Sequence, residues 1–436
     1  MNVTSKHGLG NHYIFDGFDC KCKSIGDEKF VKDLLNNLSE SLGFSKLSEP
    51  RVIYHDAEKK DESGASGFII ISESHISIHT YPFKNYVSVD IFSCKEYDLK
   101  KARTILEKVF LPENVEEQLL KRGHTYEPGF DLPEIKPIRL EKGMKASSLI
   151  SNLENAGFQA THLARAVNII KKMRKDNAKI FLTFTSNMVS SGLREVFAFL
   201  VKEKMVDAII TSIGSVEEDL IKSKKPFLLG SFDADDTELH KKGINRIGNI
   251  FVPNDRYELL EDLLGPFFNK MLDLQKKSQM LSPSKIIHEL GKLVDDKDSI
   301  LYWASKNKIP IFCPAPTDGA FGLQLYFFKQ KHPEFGIDVS ADMKDMADIV
   351  LHADKTGAII LGGGFAKHHA IGINILRGGL DYAVYVCTAS QYDGSLSGAR
   401  TSEAVSWSKI SEQANTVYVE SDATIAFPLI VAGWLE

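Results

Sequence analysis

The spacing of apolar and polar positions divides the chain into stretches of different character. Near the start, residues 12–18 (HYIFDGF) read as a strand. Phe30, Val31, Leu34, Leu35, Leu38 and Leu42 recur at helical spacing over 28–42, and Gly43 stops the run. Three extended runs follow: GFIIIS from Gly67, HISIHTYP from His75 and YVSVDIFSC from Tyr86. A second amphipathic helix from about Asp98 carries Leu99, Ala102, Ile105, Leu106 and Val109. The pattern predicts a small α/β sandwich over residues 1–112. Residues 111–140 hold four prolines, many charges and weak periodicity, so 113–140 is expected to be a linker.

Residues 141–436 alternate strand-like runs with longer helical patterns. The runs are KIFLTF (179–184), DAIITSI (207–213), IPIFCPA (309–315), GAIILG (357–362), YAVYVCTA (382–389) and TVYVES (416–421). This alternation predicts an α/β fold, a Rossmann-like and mostly parallel sheet flanked by helices.

Composition narrows the function. The chain has 436 residues, 53 basic side chains against 58 acidic, and a net charge of -5. No basic excess is available to neutralise phosphates, which argues against a nucleic-acid partner. No apolar run reaches the ~18 residues of a membrane span. The opening MNVTSKHGLGNHYIFDG has no apolar signal core, so the expected location is cytoplasmic. Five cysteines (Cys20, Cys22, Cys94, Cys313, Cys387) suit a reducing compartment. No metal site is assigned.

GFIIISESHISIHTYP places Glu73-Ser74 at the junction of two strands. The Gly-x-Ser-x-Gly elbow of a hydrolase is absent. A serine in a strained turn can instead attack the preceding carbonyl. Elimination across the resulting ester then breaks the chain and leaves a pyruvoyl group. That step needs a base, for which His79 is the candidate. The pyruvoyl carbonyl takes a substrate amine as a Schiff base and serves as electron sink for loss of CO2. Cys94, at the end of the next strand, is a candidate proton donor. On residue type alone a lone histidine or cysteine in a strand is more often core.

ESHISIHTYP followed by VDIFSC is very similar to the prokaryotic S-adenosylmethionine decarboxylase family, and LGNHYIFDGFDC resembles that family's start. The resemblance spans about residues 8–112. It implies cleavage between Glu73 and Ser74, Ser74 as pyruvoyl precursor, His79 as processing histidine and Cys94 as proton donor. One departure bears on substrate: Phe83 follows Tyr81-Pro82 where the family commonly has an acidic residue for a ribose. An apolar ring cannot accept from a hydroxyl, so ornithine and arginine stand beside S-adenosylmethionine as expected substrates.

In the second stretch, Gly362-Gly363-Gly364 joins a strand to a helix, Thr185-Ser186-Asn187 ends another strand, and EAVSWSKI groups Glu403, Trp407 and Lys409. Each has a bland alternative: a turn, a helix cap, a solvated lysine with its stem on a ring. GFQATHLARAV, TSNMVSSGLREV, VEEDLIK, GINRIGNIFVPN, PAPTDG, LGGGFAKHHA, DYAVYVCTA, DGSLSGARTSEAVSWSKI and SDATIAFPLIVA occur in order over about 141–436. Together they strongly resemble deoxyhypusine synthase, including homospermidine synthase-type relatives.

The resemblance implies Lys409 as nucleophile, with Glu218, His368, Glu403 and Trp407 around a polyamine. It implies NAD held by Ser186, Asn187, Ser190, Gly214, Asp318, Gly363, Thr388, Ala389, Asp393, Asp422 and Ala423. Leu323 and Leu396 stand where the family has aspartates. Loss of two carboxylates should weaken dication binding by about 1.5–3 kcal/mol each.

The combined expectation is a bifunctional enzyme of polyamine biosynthesis: a pyruvoyl decarboxylase joined to an NAD-dependent aminobutyl transferase, homospermidine synthase-like. Its partners would be amino acid and polyamine substrates, and it is expected to form dimers or tetramers. The alternatives are deoxyhypusine synthesis on a protein lysine with spermidine as donor, or a catalytically dead module kept for regulation.

Overall fold

Tyr13 and Phe15 are buried while His12, Ile14 and Asp16 between them are not, which makes Gly10–Phe18 (β1) a strand with one apolar face. The computed structural model describes residues 10–122, 133–277 and 280–435. The chain divides into two units, Met1–Leu132 and Pro133–Glu436. In the first, α1 (Glu28–Ser41) is capped by Asp27, whose carboxylate accepts from the Lys29 and Phe30 N–H groups. Strands β2 (Arg51–His55), β3 (Gly64–Ile71), β4 (Ser74–Tyr81) and β5 (Tyr86–Ser93) follow, then α2 (Leu99–Phe110) and β6 (Asn114–Arg122). The sheet order is β2-β3-β4-β5-β1-β6, antiparallel throughout. Ile69, Ile76, Ile78, Val89 and Ile91 pack with Leu35, Leu38, Leu106 and Phe110 on the helical face. By alternation the opposite face carries His75, Ser77, His79, Ser88 and Asp90.

The linker expectation is corrected in part. Asn114–Arg122 is the edge strand β6, paired with β1 from Gly10↔Arg122 to Phe18↔Asn114. Its residues are nearly all exposed and mostly charged or polar, as suits a protected edge, and Leu119 and Leu120 are adjacent, so it lacks the apolar alternation that marks a strand. The other edge strand, β2, escaped notice because it is short and its apolar residues Val52, Ile53 and Tyr54 run together without alternating. Leu9 of the opening motif and residues 123–132 of the linker lie outside the described residues.

In the second unit, β7 (Lys179–Phe184), β8 (Ala208–Thr211), β12 (Ile311–Phe312), β13 (Thr356–Leu361), β14 (Leu380–Val386) and β15 (Ile410–Val419) form one sheet. Its order is β12-β8-β7-β13-β14-β15, and every pairing is parallel. All six residues of β13 are buried, as a strand covered by helices on both faces requires. The expected α/β architecture is therefore present. The sequence pattern did not foresee a separate antiparallel sheet of β9 (Leu228–Leu229), β10 (Ile244–Ile247) and β11 (Ile250–Pro253). Chain order reverses between β7 and β13. The carboxyl ends of those two strands are thus the topological switch point, where open α/β sheets bind ligands. No helix among the described residues is long and apolar enough to cross a membrane.

Candidate active sites

In the first unit, β3 and β4 are joined through Ser72 and Glu73, and Ser74 opens β4 opposite Ile71 and Ser93. Ser74 has φ 149°, a backbone conformation that side-chain-bearing residues rarely adopt. The strain falls on the residue expected to cut the chain. The backbone N–H of Cys94 donates to the Glu73 carbonyl at 2.9 Å. It thus polarises the carbonyl that the Ser74 hydroxyl would attack, as an oxyanion donor does. The Cys94 thiol is exposed and lies 3.8 Å from Ser74 Oγ. Ser74, Glu73 and Cys94 are therefore together.

His79 is not with them in the same chain. It lies five residues further along one extended strand, about 16 Å at ~3.3 Å per residue. Its Nδ1 is instead 2.9 Å from Ser66 Oγ. Arg51, Ser66, Ser77 and His79 line a separate pocket over β2, β3 and β4. Within one chain, then, the rise of β4 holds the expected processing histidine away from Ser74. Ser66 was not singled out from sequence, because its link to His79 arises from the β3–β4 register. Phe83 sits in the turn after β4 and is exposed.

In the second unit the residues expected at the dinucleotide gather at carboxyl ends of parallel strands. Ser186, Asn187 and Ser190 follow β7, Gly214 follows β8, Gly363 follows β13, Thr388, Ala389 and Asp393 follow β14, and Asp422 and Ala423 follow β15. A Cβ on Gly362, itself at φ 79°, would rest 3.6 Å from Thr185 Oγ1, so the glycine turn and the β7 end meet across the switch point. Gly364 (φ 67°) opens the helix Gly364–Ile373 with nothing within 4 Å of where a Cβ would stand. Close backbone approach beside a helix N-terminus fits a phosphate-bearing cofactor such as NAD. Gly214 packs on Ser186, with a Cβ there only 2.8 Å from the serine Cβ. Asp422 caps the last helix by accepting from the Thr424 N–H at 2.7 Å, and Asp393 accepts from the Ser395 N–H at 2.7 Å.

Asp318 follows β12 and stands near Glu217. Glu217, Glu218 and Asp219 are consecutive and buried on the helix Ile213–Lys222. They point apart because successive helical residues turn by about 100°. Glu217 accepts from the Phe321 and Ala320 N–H groups at 2.7 and 3.2 Å. Asp219 takes the Arg194 guanidinium at 2.6 Å, which also reaches Asp296 at 2.6 Å. Glu218 accepts from Ser190 Oγ at 2.6 Å. Burial, with help from Glu217 and against the Ser190 bond, pushes its carboxyl up to about 8. Glu218 is thus beside the dinucleotide residues and does not line the Lys409 pocket.

The lysine pocket lies under the segment between β14 and β15. Lys409 precedes β15 and is half-buried, with Nζ 3.3 Å from His368 Nε2 and 5.0 Å above the Trp407 ring. Partial burial and the Lys409 charge hold the His368 imidazole below its usual range, so its neutral form is favoured as a proton acceptor. Glu403, Trp407 and Lys409 share the pocket with Leu396, Arg400 and Lys367. Leu396 is therefore part of the wall, and Leu323 is exposed on the helix Ala320–Lys331. Lys367 and Arg400 are pocket residues that sequence reasoning missed. They lie within recognised motifs but carry no spacing signal of their own.

Comparison with known proteins gives the same division of the chain. The family model described as deoxyhypusine synthase matches residues 148–434, and that described as S-adenosylmethionine decarboxylase matches residues 11–123. A "Probable deoxyhypusine synthase" of Pyrococcus abyssi is 47% identical over 306 residues, covering 67% of this chain and 91% of that protein. One from Methanocaldococcus jannaschii is 50% identical over 290 residues, covering 63% and 88%. The crystal structure of "a putative deoxyhypusine synthase from Entamoeba histolytica" aligns over 69% of this chain and 96% of its own, with 28% identity and a TM-score of 0.51.

Proposed function

The chain belongs to the deoxyhypusine synthase family through residues 148–434 and carries an S-adenosylmethionine decarboxylase module at residues 11–123, and on that footing we propose that it is a bifunctional enzyme of polyamine biosynthesis. The first module cuts its own chain and decarboxylates an amino acid substrate. The second transfers an aminobutyl group from one amine to another.

In the first module the Ser74 hydroxyl attacks the Glu73 carbonyl carbon while the Cys94 N–H holds the developing oxyanion. The peptide C–N bond breaks as the ester forms. Loss of the Ser74 Cα proton then breaks the ester C–O bond, releasing Glu73 as a new C-terminal carboxylate. Water converts the remaining dehydroalanine to a pyruvoyl group with loss of ammonia. His79 is too far along β4 to take that proton in its own chain, so we assign it to the Ser74 of a second copy. This assignment makes an oligomer part of the mechanism. Once formed, the pyruvoyl carbonyl supplies the electron sink for decarboxylation. The Cys94 thiol then returns a proton to the product.

In the second module NAD supplies a hydride acceptor when bound at the β7–β13 switch point. Lys409 then captures the aminobutyl fragment as an imine while the donor's amine leaves (ammonia from putrescine, a diaminopropane from spermidine), with His368 moving the proton from the attacking to the leaving nitrogen. An acceptor amine then displaces Lys409, and return of the same hydride from the bound cofactor would reduce the new imine to the product amine, so that no net oxidation occurs. Trp407 and Glu403 hold the cationic chain by cation–π and charge contacts. The observation that carries this reading is Lys409, half-buried between His368 and Trp407.

Leu396 in the pocket wall favours small amine acceptors, and homospermidine is the product we assign. If the decarboxylase module makes putrescine from ornithine, the transferase can join aminobutyl units. Similarity to the "Probable deoxyhypusine synthase" relatives favours a second reading, transfer from spermidine to a protein lysine. The test is to incubate the protein and NAD separately with S-adenosylmethionine, ornithine and arginine, then with putrescine or spermidine, and identify the amines by mass spectrometry. Release of putrescine and its conversion to homospermidine supports the first reading. Label found only on an added acceptor protein contradicts it.

A further inference from the structure

Lys367 is 1% exposed, on the buried side of the helix that presents His368. Its Nζ donates to the carbonyls of Leu396 at 2.7 Å, Ala399 at 2.8 Å and Ser397 at 3.5 Å. It also lies 4.4 Å from the centre of the buried Tyr385 ring. Among the described residues the hydroxyl of Tyr385 has no hydrogen-bond partner. Stripping an ammonium of water is costly unless dipoles replace the water. Here three converging carbonyls and an aromatic face do so, and burial brings the group down to about 8.

The carbonyls it gathers belong to one short segment with two duties. Leu396 and Ala399 line the amine pocket. Ser397 lies on the glycine turn: its Oγ accepts from the Gly364 N–H at 3.1 Å, and a Cβ on Gly363 would stand 2.4 Å from Ser397 Cα. The segment therefore forms a wall of the amine pocket on one side and covers the dinucleotide turn on the other. We propose that Lys367 is the positioning residue of the transferase site, a buried ammonium that locks segment 396–399 against Gly363–Gly364 and thereby sets the amine pocket and the dinucleotide turn together. The inference rests on the transferase reading of this unit. Lys367 reaches the pocket wall, but its donors are taken up by the carbonyls of segment 396–399, and it acts through the segment it holds.

A hydrophobic side chain of similar length would fill the space but take the Lys367 donor from all three carbonyls, leaving Leu396 only the Ala399 N–H at 3.3 Å. A glutamine amide supplies two donors without the charge. The experiment compares Lys367→Met and Lys367→Gln in the full chain by hydrogen exchange of residues 395–399 and by NADH binding followed by fluorescence. Lys367→Met should speed exchange in that segment by at least about tenfold and weaken NADH binding by at least about fivefold, while exchange in β7 and β13 stays unchanged. Lys367→Gln should recover much of both. A folded Met variant with wild-type exchange at 395–399 and wild-type NADH affinity overturns the proposal. So does loss of the fold in both variants, which would make Lys367 a general core residue. Failure of the wild type to form an amine adduct on Lys409 would sink the transferase reading, while the exchange measurement would still report on Lys367.

Discussion

The Cys94 backbone N–H donates to the Glu73 carbonyl at 2.9 Å, so the peptide bond ahead of Ser74 is held by the same residue whose thiol stands 3.8 Å from the serine hydroxyl. Scission and decarboxylation thereby use two different groups of one residue. Cys94→Ala keeps the N–H and loses the thiol. Self-cleavage should proceed at close to the wild-type rate, while decarboxylation falls by about 10²–10⁴-fold. Gel electrophoresis and CO2 release from labelled substrate check the two outcomes separately.

The distance between Ser74 and His79 along β4 predicts intersubunit processing. Chains with His79→Ala should remain uncut when expressed alone. Co-expression with a Ser74→Ala chain, which supplies an intact His79, should restore fragments from the His79→Ala chain. Cleavage of His79→Ala by itself, or none in the mixture, would refute assignment in trans.

Leu396 sits in the wall of the lysine pocket, and Leu396→Asp returns a carboxylate there. Each charged hydrogen bond is worth about 1.5–3 kcal/mol, so KM for a diamine should fall by at least about tenfold while kcat changes little. Steady-state kinetics with putrescine and spermidine decide this. An unchanged KM would mean that Leu396 does not face the amine.

Much of this arrangement was legible in the sequence where one apolar face repeats. The helices at 28–41 and 99–110 and the buried parallel strands gave clear periods. Edge strands β2 and β6 did not, because their apolar residues stand side by side (Val52-Ile53-Tyr54, Leu119-Leu120) and do not alternate. The grouping of Lys409, Trp407 and Glu403 was visible because they are neighbours in the chain. The grip of Lys367 on residues 396–399 was not, since it spans about thirty residues and depends on how the segment folds back. Ser408, between Trp407 and Lys409, has φ 53°, a strain that only the structure reveals.

The buried Glu218 carboxyl gives a pH signature. Its folded value is raised to about 8 from an ordinary 4.5, so the folded state holds the proton more tightly than the unfolded chain. That contribution to stability is complete below about 4.5 and is lost as pH rises through about 8. Thermal melts of Glu218→Gln and wild type should therefore diverge in favour of the variant between pH 5 and 8 and run parallel above about 9. Parallel melts across the whole range would contradict the assignment.

Arg194 is buried between Asp219 and Asp296 and anchors the helix that carries Glu218. Arg194→Met strands the Asp219 carboxylate and should cost about 3–5 kcal/mol of unfolding free energy. Denaturant titration measures it. Asp219→Asn in the same background should recover part of the loss.

Covalent capture of the amine on Lys409 is the step on which the transferase account turns. Wild-type protein with NAD and labelled putrescine or spermidine, reduced with borohydride and digested, should yield one labelled peptide, modified at Lys409. Lys409→Arg should yield none. Label on another residue, or no label in wild type that binds NAD, would contradict the account.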